Sequence, residues 1–347
     1  MFFDITISHS LVAILMHLIT NGAYAFENNI ASSARLEMRK GPVRLCGVQN
    51  SRISCPDGFC CSEDGHCGKG RHYCDSPQCQ FQYGSACDAN KIPNGTTTFT
   101  TPRPKFGNVA YGGAGIHNCT VPGTVALTFD DGPSNYTSLL LDILKKSNVT
   151  ATFFLTNVAR GKYEFDNQSA EFAKVVRRMH ADGHQLGSHT WSHEDLSSLS
   201  HEERVQEMVK NEMAFRNLFG FFPTYMRPPY GDCTSKSNCT EDIAKLGYHI
   251  IYWNLYTQDL KNKSPERIQN SKNIVENAFQ DCKPSTCSHI VYGHDTEYQT
   301  ANLTEYIIHQ IQAKGYKAVT IGECLSDPAV NWYRNATTGK QVASKKP

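Results

Sequence analysis

Val125-Ala-Leu-Thr-Phe-Asp-Asp-Gly-Pro133 is the stretch that decides the fold, a nearly continuous apolar run that ends on two carboxylates and a Gly-Pro turn. A short run without polar alternation reads as a strand buried on both faces, and helical periodicity follows it from Tyr136 to Lys146. The same unit recurs downstream. Ala151-Thr-Phe-Phe-Leu155 leads to a helix over Phe172 to His180, and Gln185-Leu-Gly-Ser-His189 to a long helix over Glu202 to Leu218. Tyr225-Met226 runs into Arg227-Pro-Pro229. His249-Ile-Ile-Tyr-Trp253, a helix over Pro265 to Phe279, Ile290-Val-Tyr292, a helix over Leu303 to Lys314, and Ala318-Val-Thr-Ile321 complete the series. Repeated βα units predict an α/β domain with a parallel sheet and helices outside it. About seven such units in roughly 200 residues predict a small, distorted (β/α) barrel rather than a doubly wound sheet. Either way, the chemistry belongs at the C-terminal ends of the strands.

Candidate functional residues cluster at those ends. Neighbouring side chains on a strand face opposite ways, and the Gly-Pro turn breaks that alternation, so Asp130 and Asp131 can address one pocket. Two carboxylates there divide labour, one holding a metal and the other acting as a base. Taken alone, the stretch reads equally well as a solvated turn. His189-Thr-Trp-Ser-His193 places imidazoles at i and i+4, on one face of a helical turn, a spacing suited to a single metal. With 14 histidines in the chain such a pair also arises by chance, so its position at a strand end carries the weight. Asp131, His189 and His193 would make an open site with room for water and substrate. Arg227-Pro-Pro-Tyr230-Gly231 ends the next strand, its prolines stiffening the backbone and leaving the Tyr230 N–H for a ligand. Asp259 and then His294-Asp295 follow the two after that. Asp130, His189, Arg227, Asp259 and His294 thus each sit at a different strand end, which a purely structural reading must treat as coincidence.

In this order the residues resemble the polysaccharide deacetylase family, carbohydrate esterase family 4, over roughly Val125 to Leu325. The stretch from Gly183 to Leu196 is most like the fungal chitin deacetylases. The resemblance implies a metal-dependent amidohydrolase acting on chitin or chitooligosaccharides, with one divalent cation, zinc first and cobalt(II) as the alternative. It implies Asp130 as the base, Asp131, His189 and His193 as metal ligands, and Arg227 steadying the base. The Tyr230 backbone N–H would serve the oxyanion hole, and Asp259 would orient His294 as general acid. Trp191, Leu260 and Tyr292 are implied on the substrate side. Leu260 stands where the family has Trp, and Tyr292 where it has Leu, so the acetyl pocket is expected to have moved bulk from one facing wall to the other. Peptidoglycan or acetylxylan as the polymer, or a catalytically dead chitin-binding protein, are the competing readings.

The N-terminal part has a different composition. Eight of the 14 cysteines lie between Cys46 and Cys87, with intervening lengths of 8, 4, 0, 5, 6, 4 and 7. Cys60-Cys61-Ser62, Cys67-Gly68 and Tyr73-Cys74 resemble hevein-like chitin-binding domains, which implies a small module held by four disulfides. Ser62 and Tyr73 match ligand-contact positions there, whereas Asp64 and His66 replace the usual aromatics, so weak sugar binding is expected. The expected order is a signal peptide over 1–25, the module over 45–89, a Thr/Pro linker over 90–118, the catalytic domain over 119–325 and a polar tail over 326–347. Cys119–Cys324, Cys233–Cys239 and Cys282–Cys287 are the expected remaining bridges. Leu11 to Ile19 followed by Ala23-Tyr-Ala25 reads as a cleaved secretion signal, and nine Asn-x-Ser/Thr sequons agree with a protein exported to the cell exterior or wall. Thirty-four Lys and Arg against 33 Asp and Glu leave no field to recruit nucleic acid, and no second apolar stretch is long enough to span a membrane. A monomer acting on a neutral polymer is expected.

Overall fold

The computed structural model describes residues 44–342, apart from 160, 162, 163 and 281, so the expected signal peptide lies outside the described residues. The Cys-rich module has one antiparallel ribbon, β1 (Cys60–Cys61) with β2 (Cys67–Gly68), and a single helical turn, α1 (Arg71–Cys74). Its bridges are Cys46–Cys61, Cys55–Cys67, Cys60–Cys74 and Cys79–Cys87. Cys60, Cys79 and Cys87 form its buried centre, with Tyr73, Phe81 and Ala86 packed on them. A segment this short has too little apolar surface to fold alone, and the sulfurs supply what aliphatic side chains do elsewhere.

The larger domain is a parallel, open half-barrel. In sequence order its elements are β3 (Thr124–Asp130), α2 (Thr137–Lys146), β4 (Thr152–Leu155), α3 (Glu171–Ala181), β5 (Gln185–Ser188), α4 (His201–Phe219), β6 (Phe221–Pro223), β7 (Tyr225–Met226), α5 (Cys239–Lys245), β8 (His249–Ile250), β9 (Leu255–Tyr256), α6 (Ile268–Gln280), β10 (His289–His294), α7 (Tyr298–Ala313), β11 (Lys317–Val319), α8 (Ile321–Cys324) and β12 (Tyr333–Asn335). The pairing path is β8-β7-β5-β4-β3-β10-β9, with β11 on the first half of β3. β3 is central, and all seven of its residues are buried, as a strand covered on both faces requires. The expected barrel of about seven units is therefore observed, with a gap between β8 and β9. Only residues 251–254 separate those two strands, too few for the crossover that parallel pairing needs, so they end up at opposite edges.

That open edge is covered. Residues 90–118, expected as a Thr/Pro linker, run across the domain. Gly112 N–H donates to Tyr248 O and Ile116 N–H to Ile250 O, while Tyr252 N–H donates to Ile116 O, which satisfies the edge at β8. Further back, Thr98 Oγ1 (2.6 Å), the Tyr248 hydroxyl (2.9 Å) and both terminal nitrogens of Arg103 (2.7 and 2.9 Å) donate to the fully buried carboxylate of Glu212 on α4. A buried charge with four donors pins the strap. Within the expected tail, residues 326–342 pack on the domain: β12 pairs antiparallel with β6, and Trp332 and Tyr333 are buried in the main core. Polar composition hid the Trp-Tyr pair that decides the packing.

Cys119–Cys324 ties the chain just before β3 to the end of α8, and Cys233–Cys239 and Cys282–Cys287 close local loops. The module is docked as well, through a backbone bridge between Ser76 and Ala159, a Lys210–Ala89 O hydrogen bond and Phe81 against the second apolar cluster. Among the described residues no helix is long and apolar enough to cross a membrane.

Candidate active site

Asp130 is the last residue of β3, and Asp131 follows at φ 72°, a left-handed turn that sends both carboxylates into one pocket. His189 Nε2 lies 3.6 Å from Asp130 Oδ2 and 3.5 Å from Asp131 Oδ1, and His193 Nε2 is 3.0 Å from Asp131 Oδ1. All four residues are at most 4 % exposed. The histidines do not share a helical face as their spacing suggested. Thr190 and His193 have φ of 69° and 66°, which no right-handed helix contains, so the chain after β5 folds back on itself to return His193 to the pocket.

Helix α4 holds this fold-back. It starts on a capping box, Ser200 with Glu203, and stops at Gly220 in the left-handed region. One turn in, the buried Glu207 carboxylate accepts from Ser192 N–H (2.8 Å) and Ser192 Oγ (2.6 Å), and Glu207 O accepts from Trp191 N–H. One turn further, Asn211 Nδ2 donates to Ser188 Oγ (2.8 Å) and to Leu155 O (3.0 Å), fixing the strand ends on either side. Neither residue was singled out in the sequence, where they read as part of a polar helix. The same turn buries Trp191, which is 1 % exposed within the main core.

Second contacts set the protonation pattern. His189 Nδ1 is 2.7 Å from Arg227 O; a carbonyl only accepts, so Nδ1 carries the proton and Nε2 turns its lone pair to the pocket. Burial alone would raise the Asp131 carboxyl, but His193 and His189 beside it hold it well below the usual range. Arg227 is fully buried. Its Nη1 donates to Asp130 Oδ1 (2.8 Å) and Thr128 Oγ1 (2.7 Å), its Nε to Ile251 O and its Nη2 to Tyr252 O. Asp130 Oδ1 is thereby pinned, while Oδ2 is buried with no hydrogen-bond partner among the described residues.

Across the pocket, His294 ends β10. Asp259 accepts from its backbone N–H (2.8 Å), and both carboxylate oxygens lie within 3.2 Å of Nδ1. Burial opposes a charged imidazole here, yet the Asp259 carboxylate, with Asp131 and Asp130 beyond it, pushes His294 up to about 9. Tyr230, at φ 59°, sets its ring edge-on to His193 with centroids 4.7 Å apart. Tyr292 stacks with Trp253 (4.0 Å) and packs on Tyr256 (5.0 Å), so the bulk against it comes from rings that the sequence did not mark out. Leu260, next to Asp259, is half-buried. In the module, Ser62 is buried with Oγ accepting from His66 N–H, a turn-forming role, and the Tyr73 ring lies over Gly68.

The donor set fits a divalent cation. Asp131, His189 and His193 each present a ligand atom, all within 4.8 Å of one another, beside the orphaned Asp130 oxygen. One carboxylate and two imidazoles with open positions suit zinc or a metal of similar preference.

Comparison with known proteins places these features. Residues 117–251 match the model of the polysaccharide deacetylase family, and residues 45–87 that of chitin recognition proteins. The chain is similar to a chitin deacetylase of Colletotrichum lindemuthianum, 44% identical over 223 residues, 64% of this chain and 87% of the relative. It is also similar to a peptidoglycan-N-acetylglucosamine deacetylase of Bacillus cereus, 31% identical over 226 residues, 64% of this chain and 74% of that one. The solved structure of the Colletotrichum lindemuthianum chitin deacetylase superposes with a TM-score of 0.60 at 43% identity, covering 65% of this chain and 97% of that one.

Proposed function

Because the chain belongs to the polysaccharide deacetylase family, we propose that it is an enzyme that hydrolyses the N-acetyl groups of chitin or chitooligosaccharides, releasing acetate and leaving free amines. A single observation carries the reading: the Asp130 carboxylate, fixed on one oxygen by Arg227, turns its unpartnered buried oxygen toward the Asp131, His189 and His193 donor set. The chitin-recognition segment favours chitin over peptidoglycan as the polymer. Disulfides throughout the chain support a secreted protein, at the cell exterior or wall.

Asp131, His189 and His193 would hold one divalent cation, zinc by their chemistry and cobalt(II) as a substitute. A cation held there would supply Lewis acidity, polarising the acetamide carbonyl and lowering the pKa of water, toward about 7 in favourable zinc sites. Asp130 accepts the proton of the attacking water at Oδ2, and Arg227 keeps that carboxylate oriented. Tyr230, whose ring packs edge-on to His193, would offer its backbone N–H to the developing oxyanion. An amine leaves only if it is protonated, and His294, held by Asp259 at Nδ1, delivers the proton from Nε2.

The roles separate experimentally. Asp130→Asn should bind zinc like the parent protein and release no acetate from chitooligosaccharides, whereas His193→Ala should lose most of its zinc, as measured by metal content after dialysis. A zinc-free Asp130→Asn variant beside a zinc-loaded His193→Ala variant would reverse the assignment of base and ligand.

A further inference from the structure

The general acid reading above leaves Nε2 of His294 with a partner of its own. Tyr292 and His294 are two residues apart on β10, so their side chains leave the strand on the same face. The Tyr292 hydroxyl lies 3.1 Å from His294 Nε2, the nitrogen that must hand over the proton. Family resemblance leads to leucine at position 292, which has no polar atom to offer, so this contact comes from the chain's own departure from the pattern.

Everything around the Tyr292 ring acts to fix where its hydroxyl sits. Trp253 stacks on one face at 4.0 Å and 23°, and Tyr256 packs at 5.0 Å and 29°. The Arg227 guanidinium lies 5.3 Å from the ring centroid. The Tyr292 carbonyl accepts from both the N–H (3.2 Å) and the Oγ1 (2.7 Å) of Thr257, and that same Oγ1 lies 3.1 Å from Asp259 Oδ1. Asp259 and Tyr292 are therefore tied to one threonine, and between them they address the two ring nitrogens of His294.

We infer that Tyr292 is a positioning residue for the proton donor, its hydroxyl holding the Nε2 edge of His294 while Asp259 holds the Nδ1 edge. A phenol suits this task because it can work in either direction. It accepts from Nε2–H while the imidazole is charged, and donates its own O–H to the Nε2 lone pair after the proton has gone to the leaving nitrogen. No proton is gained or lost by Tyr292 across the cycle. Burial holds its phenol well above the ordinary value, so the hydroxyl keeps its proton throughout. The inference rests on His294 being the acid, and it adds that the ring is clamped at both nitrogens.

Tyr292→Phe keeps the stacked ring and removes only the oxygen. Assayed as the full chain with zinc on defined chitooligosaccharides, it should lose roughly 3- to 10-fold in kcat, the worth of one hydrogen bond, with KM unchanged. The ¹⁵N resonance of His294 Nε2 should shift, an effect that altered packing alone would not produce. Tyr292→Leu should match that kcat loss and also raise KM, because the wall goes with the hydroxyl. Wild-type kcat with an unmoved Nε2 resonance in Tyr292→Phe would overturn the inference, as would a loss confined to KM, which would place the hydroxyl on the sugar. His294→Ala separates the two levels of argument. If it stays active, the acid assignment fails; if it is inactive while Tyr292→Phe is normal, only the role of Tyr292 fails.

Discussion

At the scale of single residues, the site works through opposed pairs. Arg227 fixes one oxygen of the buried Asp130 carboxylate, and Asp259 keeps His294 charged where burial alone would neutralise it. The sign for the second pair can be followed through. A general acid acts in its protonated form, so activity is complete below its pKa and falls as pH rises through it. Asp259 pushes His294 up toward about 9, and a bound cation offsets the contributions of Asp131 and Asp130 but not that of Asp259. Asp259→Asn should therefore move the alkaline limb of the kcat/KM profile to lower pH and cut kcat by at least ~100-fold, since positioned proton transfer is worth about 10² to 10⁴. An unmoved limb would show that the limb belongs to another group. Asp130, His294 and their neighbours were legible because each stands beside a strand terminus in the sequence. Trp253 and Tyr256 were not, because an aromatic after a strand looks the same whether it faces core or cleft.

Among elements, α4 does more than cover the sheet. Glu207 and Asn211 are one turn apart on one face, and that face shapes the loop carrying His193. Two left-handed residues in four are costly, at about 1–3 kcal/mol each, and persist only where surrounding contacts impose them. Glu207→Ala leaves Ser192 N–H and Oγ without their acceptor. It should weaken zinc about 10- to 100-fold in chelator competition, as loss of outer-sphere support does elsewhere. The cost in stability should be about 1–3 kcal/mol. Glu207→Gln, which retains one acceptor, should fall between. Unchanged zinc affinity in Glu207→Ala would show that the loop holds itself. The i and i+4 spacing of the histidines pointed to a helix, and the correction has a plain cause: chemistry needed both rings at Asp131, and packing against α4 supplied a tighter route.

The whole molecule is closed on the face away from the site. Cys119–Cys324 joins the two ends of the domain beside the N-terminal end of β3, whereas Asp130 lies at its C-terminal end. Conserving stability and conserving chemistry are thus assigned to opposite ends of the sheet. Replacing both cysteines with serine should lower unfolding free energy by on the order of 3–5 kcal/mol by the chain-entropy estimate for a long loop, with kcat at 25 °C unchanged. Denaturant titration together with an acetate assay checks this, and a loss of kcat without a loss of stability would contradict it. The strap from 90 to 118 adds further closure, since three of the four donors to the buried Glu212 carboxylate come from Thr98 and Arg103.

The amino-acid order carries the repeating βα units, the parallel sheet and the strand ends at which polar residues gather. These are local properties: apolar period, turn residues and the spacing of a motif are written within one element. It also placed the cysteines so that their partners lay near chain ends or within short loops. Only tertiary structure decided the left-handed return of His193, the burial of Trp191, the ring stack on Tyr292, the covering of β8 by the strap and the return of β12 to β6. Each of these joins residues far apart in the chain or holds a backbone in a conformation its residue does not prefer. Such arrangements become favourable only after the core has formed around them, because their stability comes from neighbours that the local sequence does not contain.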